Sequence, residues 1–211
     1  MPSFALDRDL LALEPGLFRD CGFLGQRLSK STASISGTTL TASSPDIDFL
    51  TSAVAAGHVP LVGGIPCEVV SVSSGTQLVV SRLRESRTGP VLPPPPATSQ
   101  ECVVSTFGPQ ISLAHGQLLA MAGLDSGGAS PGAQALADDA IIRLEAMLAL
   151  SLVWAAAAAL GGEGSAAWAR AEWYRARAAA ERGRVRMPID TNGDGVADAS
   201  RSLALAFTFR G

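Results

Sequence analysis

Reactive and metal-ligating side chains are scarce in this chain of 211 residues, which has two histidines and three cysteines. The cysteines Cys21, Cys67 and Cys102 are odd in number and nowhere form a Cys-x-x-Cys pair, which argues against a disulfide framework and a zinc knuckle. His58 and His115 lie in different predicted modules, and the chain has neither a Gly-x-Ser-x-Gly elbow nor a phosphate-binding loop. We therefore expect structural thiols, no resident cofactor and no enzymatic activity.

Charge is also sparse, at 17% of residues, and Lys30 is the single lysine. Sixteen basic residues against 19 acidic ones leave a net charge of −3, which argues against broad affinity for DNA. Hydrophobic residues make up 47% of the chain, too many for a disordered protein. Because Asp7, Arg8 and Asp9 interrupt the N-terminal residues, we expect no secretory signal and folding in the cytoplasm.

The overall pattern predicts an α+β fold, in which residues 1–85 form a short helix and a small β module. Asp7 is placed to cap a helix that ends at Glu14-Pro15-Gly16. Short runs with strand character follow, separated by turn signals at Ser36-Gly37, Gly63-Gly64 and Ser74-Gly75, and five of them in about fifty residues suggest a barrel-like module. The candidate strands are 32–35, 38–42, 59–62, 67–73 and 77–83.

Small barrels also bind single-stranded nucleic acid, which is one alternative function for this module. Between residues 22 and 81 the chain offers two arginine or lysine side chains, Arg27 and Lys30, and two aromatic ones, Phe23 and Phe49. Single-strand binding relies on aromatic platforms in a basic groove. The sequence therefore favours a structural barrel.

Residues 86–99 are predicted to be a linker, because the four prolines Pro93–Pro96 favour an extended polyproline II segment. Residues 100–186 beyond it are predicted to form a helical bundle of about three helices. The first helix is Gln110–Ala122. The second begins near Asp138, and its uncharged run from Ala146 to Gly162 is hydrophobic on every face. That run is shorter than the ~20 residues of a membrane span and has no flanking basic cluster, so a buried core helix is favoured and no membrane partner is expected.

Gly161 and Gly162 end this helix, and Ser165 is the predicted N-cap of a third, arginine-rich helix. One stripe of the third helix is small enough to pack closely against the alanines at 155–159. The stripe consists of Ala167, Ala171, Tyr174 and Ala178.

Two flanks of the third helix each combine a tryptophan with arginines. One flank holds Trp168, Arg175 and Arg182, and the other holds Trp173, Arg170 and Arg177. Trp and Arg frequently anchor protein contacts, so these residues are predicted to form a subunit interface. The alternatives are a solvated face with cation–π stacking and an Arg177–Glu181 ion pair, or contact with nucleic-acid phosphates.

Residues 187–211 are predicted to form a C-terminal β-hairpin arm. Met187 and Ile189 share one side of its first strand. The apolar side of the second strand consists of Leu203, Leu205, Phe207 and Phe209.

The loop of this arm is the only stretch that matches a known metal-binding pattern. The oxygen ligands of Asp190, Asn192, Asp194 and Asp198, with a glycine after the third, follow the first part of a calcium loop. Arg201 stands where an EF-hand places its bidentate glutamate. A calcium-stabilised binding module and a metal-free hairpin built from Asn-Gly and Asp-Gly turns both remain open interpretations.

The segment from Ala135 to Gly211 resembles the head-to-tail connector (adaptor or neck) proteins of tailed bacteriophages and gene transfer agents. The resemblance rests on the helix Ile141–Leu160, the helix that contains Trp168-Ala-Arg-Ala-Glu-Trp-Tyr174, and the arm that follows. It covers about a third of the chain and includes no diagnostic motif. The N-terminal β module departs from the family pattern and leaves adaptor, stopper and minor capsid roles open.

The resemblance implies a virion protein of the neck, made in the cytoplasm of a host bacterium. Such adaptors form a homo-oligomeric ring of about 12 copies below the portal protein, contact tail or stopper proteins, and let DNA pass without sequence-specific binding. By this resemblance, Trp168, Trp173 and the neighbouring arginines would contact other subunits. Phe207 and Phe209 would belong to a docking strand.

Overall fold

The computed structural model describes residues 3–124 and 134–204. The chain is an α+β protein, as predicted, and it divides into two compact units. One unit is Leu6–Pro109, and the other combines the residues before Leu6 with those after Pro109. The division therefore lies at Pro109, whereas the sequence placed it at a linker over residues 86–99.

The first unit consists of two short helices, a 3-10 helix and an antiparallel sheet. Its elements are α1 (Asp7–Leu13), α2 (Leu17–Asp20), the 3-10 helix Gly22–Leu24, β1 (Gln26–Ser36), β2 (Thr39–Ser43), β3 (Val59–Val62), β4 (Ile65–Pro66), β5 (Glu68–Ser74), β6 (Gln77–Ser81) and β7 (Ala97–Thr106). The strand order is β4-β3-β7-β1-β2-β6-β5, and each neighbouring pair is antiparallel.

Alternation of apolar and polar residues turns one face of these strands inward. In β2, Leu40 and Ala42 are buried while the three residues around them are exposed, which is the period of a half-buried strand. The turn between β3 and β4 is formed by Gly63 and Gly64, whose φ angles are 55° and 81°. Positive φ at both positions is what a type I′ hairpin turn requires, so the predicted Gly-Gly turn is confirmed.

Strand β7 is absent from the sequence prediction, although it lies between β3 and β1 within the sheet. Its first five residues, 97–101, are at most partly buried, and inward-facing apolar side chains begin only at Cys102 and Val104. Polar residues directly after four prolines resemble a linker more than a strand. The segment becomes a strand because β1 pairs with it from Ala97 to Thr106, while β3 pairs with its second half at residues 102–105.

Two of the cysteines face the core of this unit. Cys67 and Cys102 are buried, and burial raises the pKa of the Cys67 thiol to about 11 and that of the Cys102 thiol to about 12. Both thiols therefore stay protonated and unreactive near neutral pH, as expected for structural cysteines.

The second unit contains three long helices and a small sheet. Its elements are α3 (Gly108–Met121), β8 (Gln134–Ala135), α4 (Asp139–Gly161), α5 (Ala166–Arg182), β9 (Arg186–Asp190) and β10 (Ala199–Ser202). The predicted cap at Ser165 is confirmed, since its hydroxyl accepts the Trp168 N–H at 3.2 Å. Asp138, near which the helix was predicted to begin, caps α4 by accepting the Ile141 N–H at 2.8 Å. In the first unit the predicted cap at Asp7 is wrong, because Leu6 is the N-cap of α1 and the Asp7 carboxylate accepts the distant Phe107 N–H instead. Gly162 follows α4 with a φ of 77°.

Helix α4 is the apolar centre of this unit. Ten of its residues are buried, but Leu160 is 71% exposed, so the expectation of burial on every face is wrong for its C-terminal end. Within the described part of the chain, α4 alone is long and apolar enough to cross a bilayer. Its most apolar 18-residue segment has a mean hydropathy of 1.8, and 56% of that segment is buried in the protein. The helix has 23 residues because it extends beyond the uncharged run at its N-terminal end.

The first strand of the arm begins close to the predicted position, and its second strand begins earlier in the chain than predicted. Met187 and Ile189 are buried in β9, which pairs with β10 on one edge and β8 on the other. The second strand occupies Ala199–Ser202, upstream of the predicted apolar alternation. Phe207 and Phe209, the predicted docking residues, lie outside the described residues.

Candidate assembly surface

The outward side of α5 carries the two tryptophans singled out by the sequence. Trp168 is 41% exposed and Trp173 is 52% exposed. The opposite side of the helix buries Ala171, Tyr174 and Ala178, as the small-residue stripe predicted. Since Ala171, Tyr174 and Ala178 fix the rotation of α5, Trp173 is directed away from the core and Trp168 lies at the edge of the buried stripe.

Trp168 borders a groove between the C-terminal end of α4 and the N-terminal half of α5. The groove has a volume of about 270 Å³. Arg175 lines the same groove, and its guanidinium lies 2.6 Å from a carboxylate oxygen of Glu172, so this flank is already neutralised in part. Glu172 itself also lines the groove, and the remaining lining residues are Ala155, Ala158, Ala159, Gly162, Glu163 and Ala171.

Trp173 forms the centre of the second flank. The Arg177 guanidinium lies 5.0 Å from the centroid of the Trp173 ring, which is cation–π geometry, and the Tyr174 ring meets it edge-on at 4.7 Å. Arg170 was predicted beside Trp173, but its guanidinium lies over the ring of Trp154 at 4.5 Å. Arg170 stacks on the buried indole of Trp154 because α4 and α5 are packed side by side.

Arg182 is directed back toward the protein. One of its guanidinium nitrogens approaches the Met121 sulfur at 4.0 Å. Glu181, predicted to pair with Arg177, instead lies 3.7 Å from Arg143 of α4. Arg175 and Arg177 are therefore the cations that accompany the two exposed tryptophans.

The loop between β9 and β10 brings its four predicted metal ligands together through its own hydrogen bonds. Both oxygens of Asp190 accept backbone N–H groups, from Asn192 and Gly193 on one side and from Gly195 on the other, at 2.6 to 3.0 Å. The Asn192 amide donates to Asp194 at 3.1 Å and to Asp198 at 3.4 Å.

These hydrogen bonds stabilise the loop without an ion. Backbone donors, first among them Gly195 N–H, hold the pKa of Asp190 below its usual range, so this carboxylate stays ionised. Within residues 3–124 and 134–204, no three His, Cys, Asp or Glu side chains are arranged to hold a metal ion. Calcium binding by Asp190, Asn192, Asp194 and Asp198 stays a prediction.

The β module has a separate groove of about 510 Å³, lined in part by Phe18, Phe23, Leu61 and Val103. Its basic side chains are engaged by carboxylates. Arg19 pairs with Asp20 at 3.0 Å, Arg27 with Asp46 at 3.2 Å and Lys30 with Glu101 at 2.7 Å. A nucleic-acid phosphate would have to compete with each of these partners.

A buried polar cluster in the helical unit escaped the sequence analysis. Glu145 of α4 is fully buried, and one of its oxygens lies 3.3 Å from Nδ1 of His115 in α3. The Phe4 N–H donates to the same carboxylate, at 3.2 Å and 3.3 Å from its two oxygens. His115 has no ligand-spaced carboxylate along its own helix, and a partner 30 residues away leaves no signal in local spacing.

Comparison with known proteins was negative. No family model, curated protein or solved structure matches the chain. Its function is therefore inferred from the surfaces described above.

Proposed function

We propose that this protein is a head-to-tail adaptor of a tailed phage or phage-like particle. In this role it forms a homo-oligomeric ring below the portal protein and joins it to tail or stopper proteins around the DNA channel. The observation that carries the proposal is the pair of half-exposed tryptophans on α5, each accompanied by an arginine. Half-exposed Trp beside Arg is the composition of residues that anchor protein interfaces.

The placement of the two flanks supports a ring in particular. Trp168 and Trp173 are five residues apart, which separates them by about 140° around a helix with 3.6 residues per turn. A subunit with different contact surfaces on two sides makes head-to-tail contacts, and such contacts close into a ring when the rotation between neighbours permits it. The interface residues of this proposal are Trp168, Trp173, Arg175 and Arg177, with Phe207 and Phe209 in the arm. Arg170 and Arg182, which the sequence analysis also assigned to the interface, contact Trp154 and Met121 of their own chain.

A passive role toward DNA is consistent with the charge of the chain. The net charge of −3 and the paired basic residues of the β module favour DNA passage without tight binding. A structural role of this kind requires neither an enzymatic activity nor a cofactor.

We also infer that the sheet of the first unit closes into a small barrel. This inference is supported by backbone hydrogen bonds between the two ends of the sheet, from Cys67 N–H to Pro60 O at 3.0 Å and from Val69 N–H to His58 O at 2.9 Å. Closure leaves fewer free strand edges and so protects the module against edge-to-edge association. The three long helices are proposed to form the bundle.

Locating the protein in particles tests the adaptor proposal. We expect gold-labelled antibody to mark the junction of head and tail in electron micrographs of purified particles. A Trp168→Ala, Trp173→Ala double variant, supplied in place of the wild-type protein, should be incorporated poorly and leave heads without tails. Leu113→Ala is the matched control, because Leu113 is an exposed apolar residue of α3 outside the proposed interface. Particles without label at this junction would overturn the proposal.

A further inference from the structure

The groove beside Trp168 has the size and lining of a receptor for an aromatic side chain. Its volume of about 270 Å³ exceeds the roughly 150 Å³ of an apolar protein cavity that holds benzene, so an indole fits by volume. Its floor is made of small side chains, among them Ala158 and Ala171, which allow a ring to approach the helix backbones closely. The groove therefore has room for an aromatic group that the described residues do not supply.

The other flank of α5 offers a group of this kind. Trp173 is 52% exposed and is held by the Tyr174 ring and the Arg177 guanidinium, so its orientation is partly fixed before any contact forms. Ordering the side chain in advance reduces the entropy lost on docking. Trp173 is thus a pre-organised aromatic knob.

Charge complements shape on the two flanks. Glu163 lies at the rim of the groove, is exposed, and forms no ion pair with any described residue. Arg177 beside the knob is exposed and likewise has no acidic partner within the described part of the chain. One flank therefore presents an uncompensated carboxylate and the other an uncompensated guanidinium.

We propose that Trp173 of one copy inserts into the groove lined by Ala158, Ala159 and Trp168 of the next copy, with Arg177 facing Glu163. The occupant of the groove is a second copy of this chain, and the contact is head-to-tail because donor and acceptor lie on different flanks. This inference rests on the proposed ring and identifies the subunit contact that builds it.

Filling the groove provides the first test, carried out on the full chain. Ala159→Trp places an indole in the groove, since Ala159 is an exposed groove residue on α4. Ala156→Trp is the matched control, because Ala156 is exposed on the same helix and does not line the groove. We expect Ala159→Trp to raise the protein concentration needed for assembly about tenfold or more, by mass photometry and light scattering, and Ala156→Trp to leave it unchanged.

Charge reversal tests the pairing itself. Glu163→Arg and Arg177→Glu should each weaken assembly, and the combination of both in one chain should restore it, because the reversed charges again face each other. Circular dichroism confirms that each variant is folded.

The outcomes separate this contact from the proposed function. Equal assembly by Ala159→Trp and Ala156→Trp, or no rescue by the double charge reversal, overturns the groove contact. A wild-type chain that stays monomeric at every concentration also overturns it. None of these three results decides the adaptor role, which depends on the label at the head-to-tail junction.

Discussion

At the residue scale, the buried carboxyl of Asp7 has a pKa well above its usual range. Its side chain is about 1% exposed, and Oδ1 accepts the Phe107 N–H at 2.9 Å. Burial raises the pKa of Asp7 from 3.8 to about 7, against the opposing effect of its hydrogen bonds to Thr106 and Phe107. The folded protein therefore binds a proton that the unfolded chain has released between these two pH values.

Asp7→Asn should remove this pH dependence. Between pH 3.8 and about 7 the folded state binds more protons than the unfolded state, so stability from this group is full at low pH and falls as pH rises. The loss amounts to about 4 kcal/mol at most, and the neutral variant should not suffer it. Urea unfolding at several pH values between 4 and 8 measures the slope. Asp20→Asn, an exposed control, should keep the wild-type slope, and an equally steep slope in Asp7→Asn would contradict the prediction.

Glu145 joins three parts of the helical unit through one carboxylate. Burial raises the pKa of Glu145, against the opposing effects of His115 and the N–H groups of Ala5 and Phe4. Nε2 of His115 is buried without a partner, so loss of Glu145 would deprive the ring of its hydrogen bond at Nδ1 as well.

We expect Glu145→Ala to destabilise the protein by about 3 kcal/mol, because it leaves buried donors unsatisfied. It should also speed proteolysis at the N-terminal residues. Glu145→Gln keeps a hydrogen-bonding group at the same place and should cost less in denaturant unfolding. Equal stability of the two variants would show that the carboxylate does not organise this cluster.

At the scale of elements, the α4–α5 hairpin depends on small side chains. Ala171 and Ala178 are each about 2% exposed, so neither position has space for a larger group. Ala171→Leu should lower the free energy of unfolding by about 1–3 kcal/mol through overpacking. Ala169→Leu, on the exposed side of the same helix, should change it by less than about 0.5 kcal/mol. Thermal and urea unfolding of these two variants would measure the difference. Equal free energies of unfolding would rule out close packing at Ala171.

The β9–β10 loop gives a second test at this scale. The predicted calcium site requires a heat of binding when the wild-type protein is titrated with Ca²⁺ in a calorimeter, and Asp194→Ala should abolish that heat. Thr191→Ala is a suitable control, because its side chain hydrogen-bonds Asp198 without being one of the predicted ligands. If wild type gives no heat, the loop is a metal-free turn held by the N–H groups around Asp190.

For the whole molecule, the charge distribution predicts weak interaction with nucleic acid. The exposed Arg27 and Lys30 of the β module are neutralised by Asp46 and Glu101, and the net charge is −3. A gel-shift experiment with single-stranded DNA at about 0.15 M salt should therefore show no retarded band. The Asp46→Asn, Glu101→Gln variant frees both cations and should bind more DNA at low salt. Tight, steeply salt-dependent binding by wild type would favour the nucleic-acid alternative.

Local features were predictable wherever neighbouring residues determine the conformation. The caps at Asp138 and Ser165 and the Gly63-Gly64 turn depend on backbone geometry within a few residues, which the sequence contains in full. The small-residue stripe of α5 was predictable for a similar reason, because helical periodicity alone brings Ala171 and Ala178 to one side.

Features that depend on distant parts of the chain were not predictable. Strand β7 has a polar first half that becomes a strand only through pairing with β1, and β3 pairs with its second half. Arg170 was assigned to Trp173 of its own helix, but the buried Trp154 of α4 binds it. In both cases a neighbour that is remote in sequence competes with the local pattern and prevails.

By itself, the sequence determined the α+β class, the ends of α4 near Asp138 and Gly162, the start of α5 at Ser165 and the buried small-residue stripe of α5, because hydrophobic period and capping act over a few residues. Only the tertiary structure decided that Arg170 stacks on Trp154, that Glu145 contacts His115, and that Asp7 is desolvated beside Phe107. These contacts join residues 16, 30 and 100 positions apart. Their energies come from desolvation and packing that exist only once the core has closed around them.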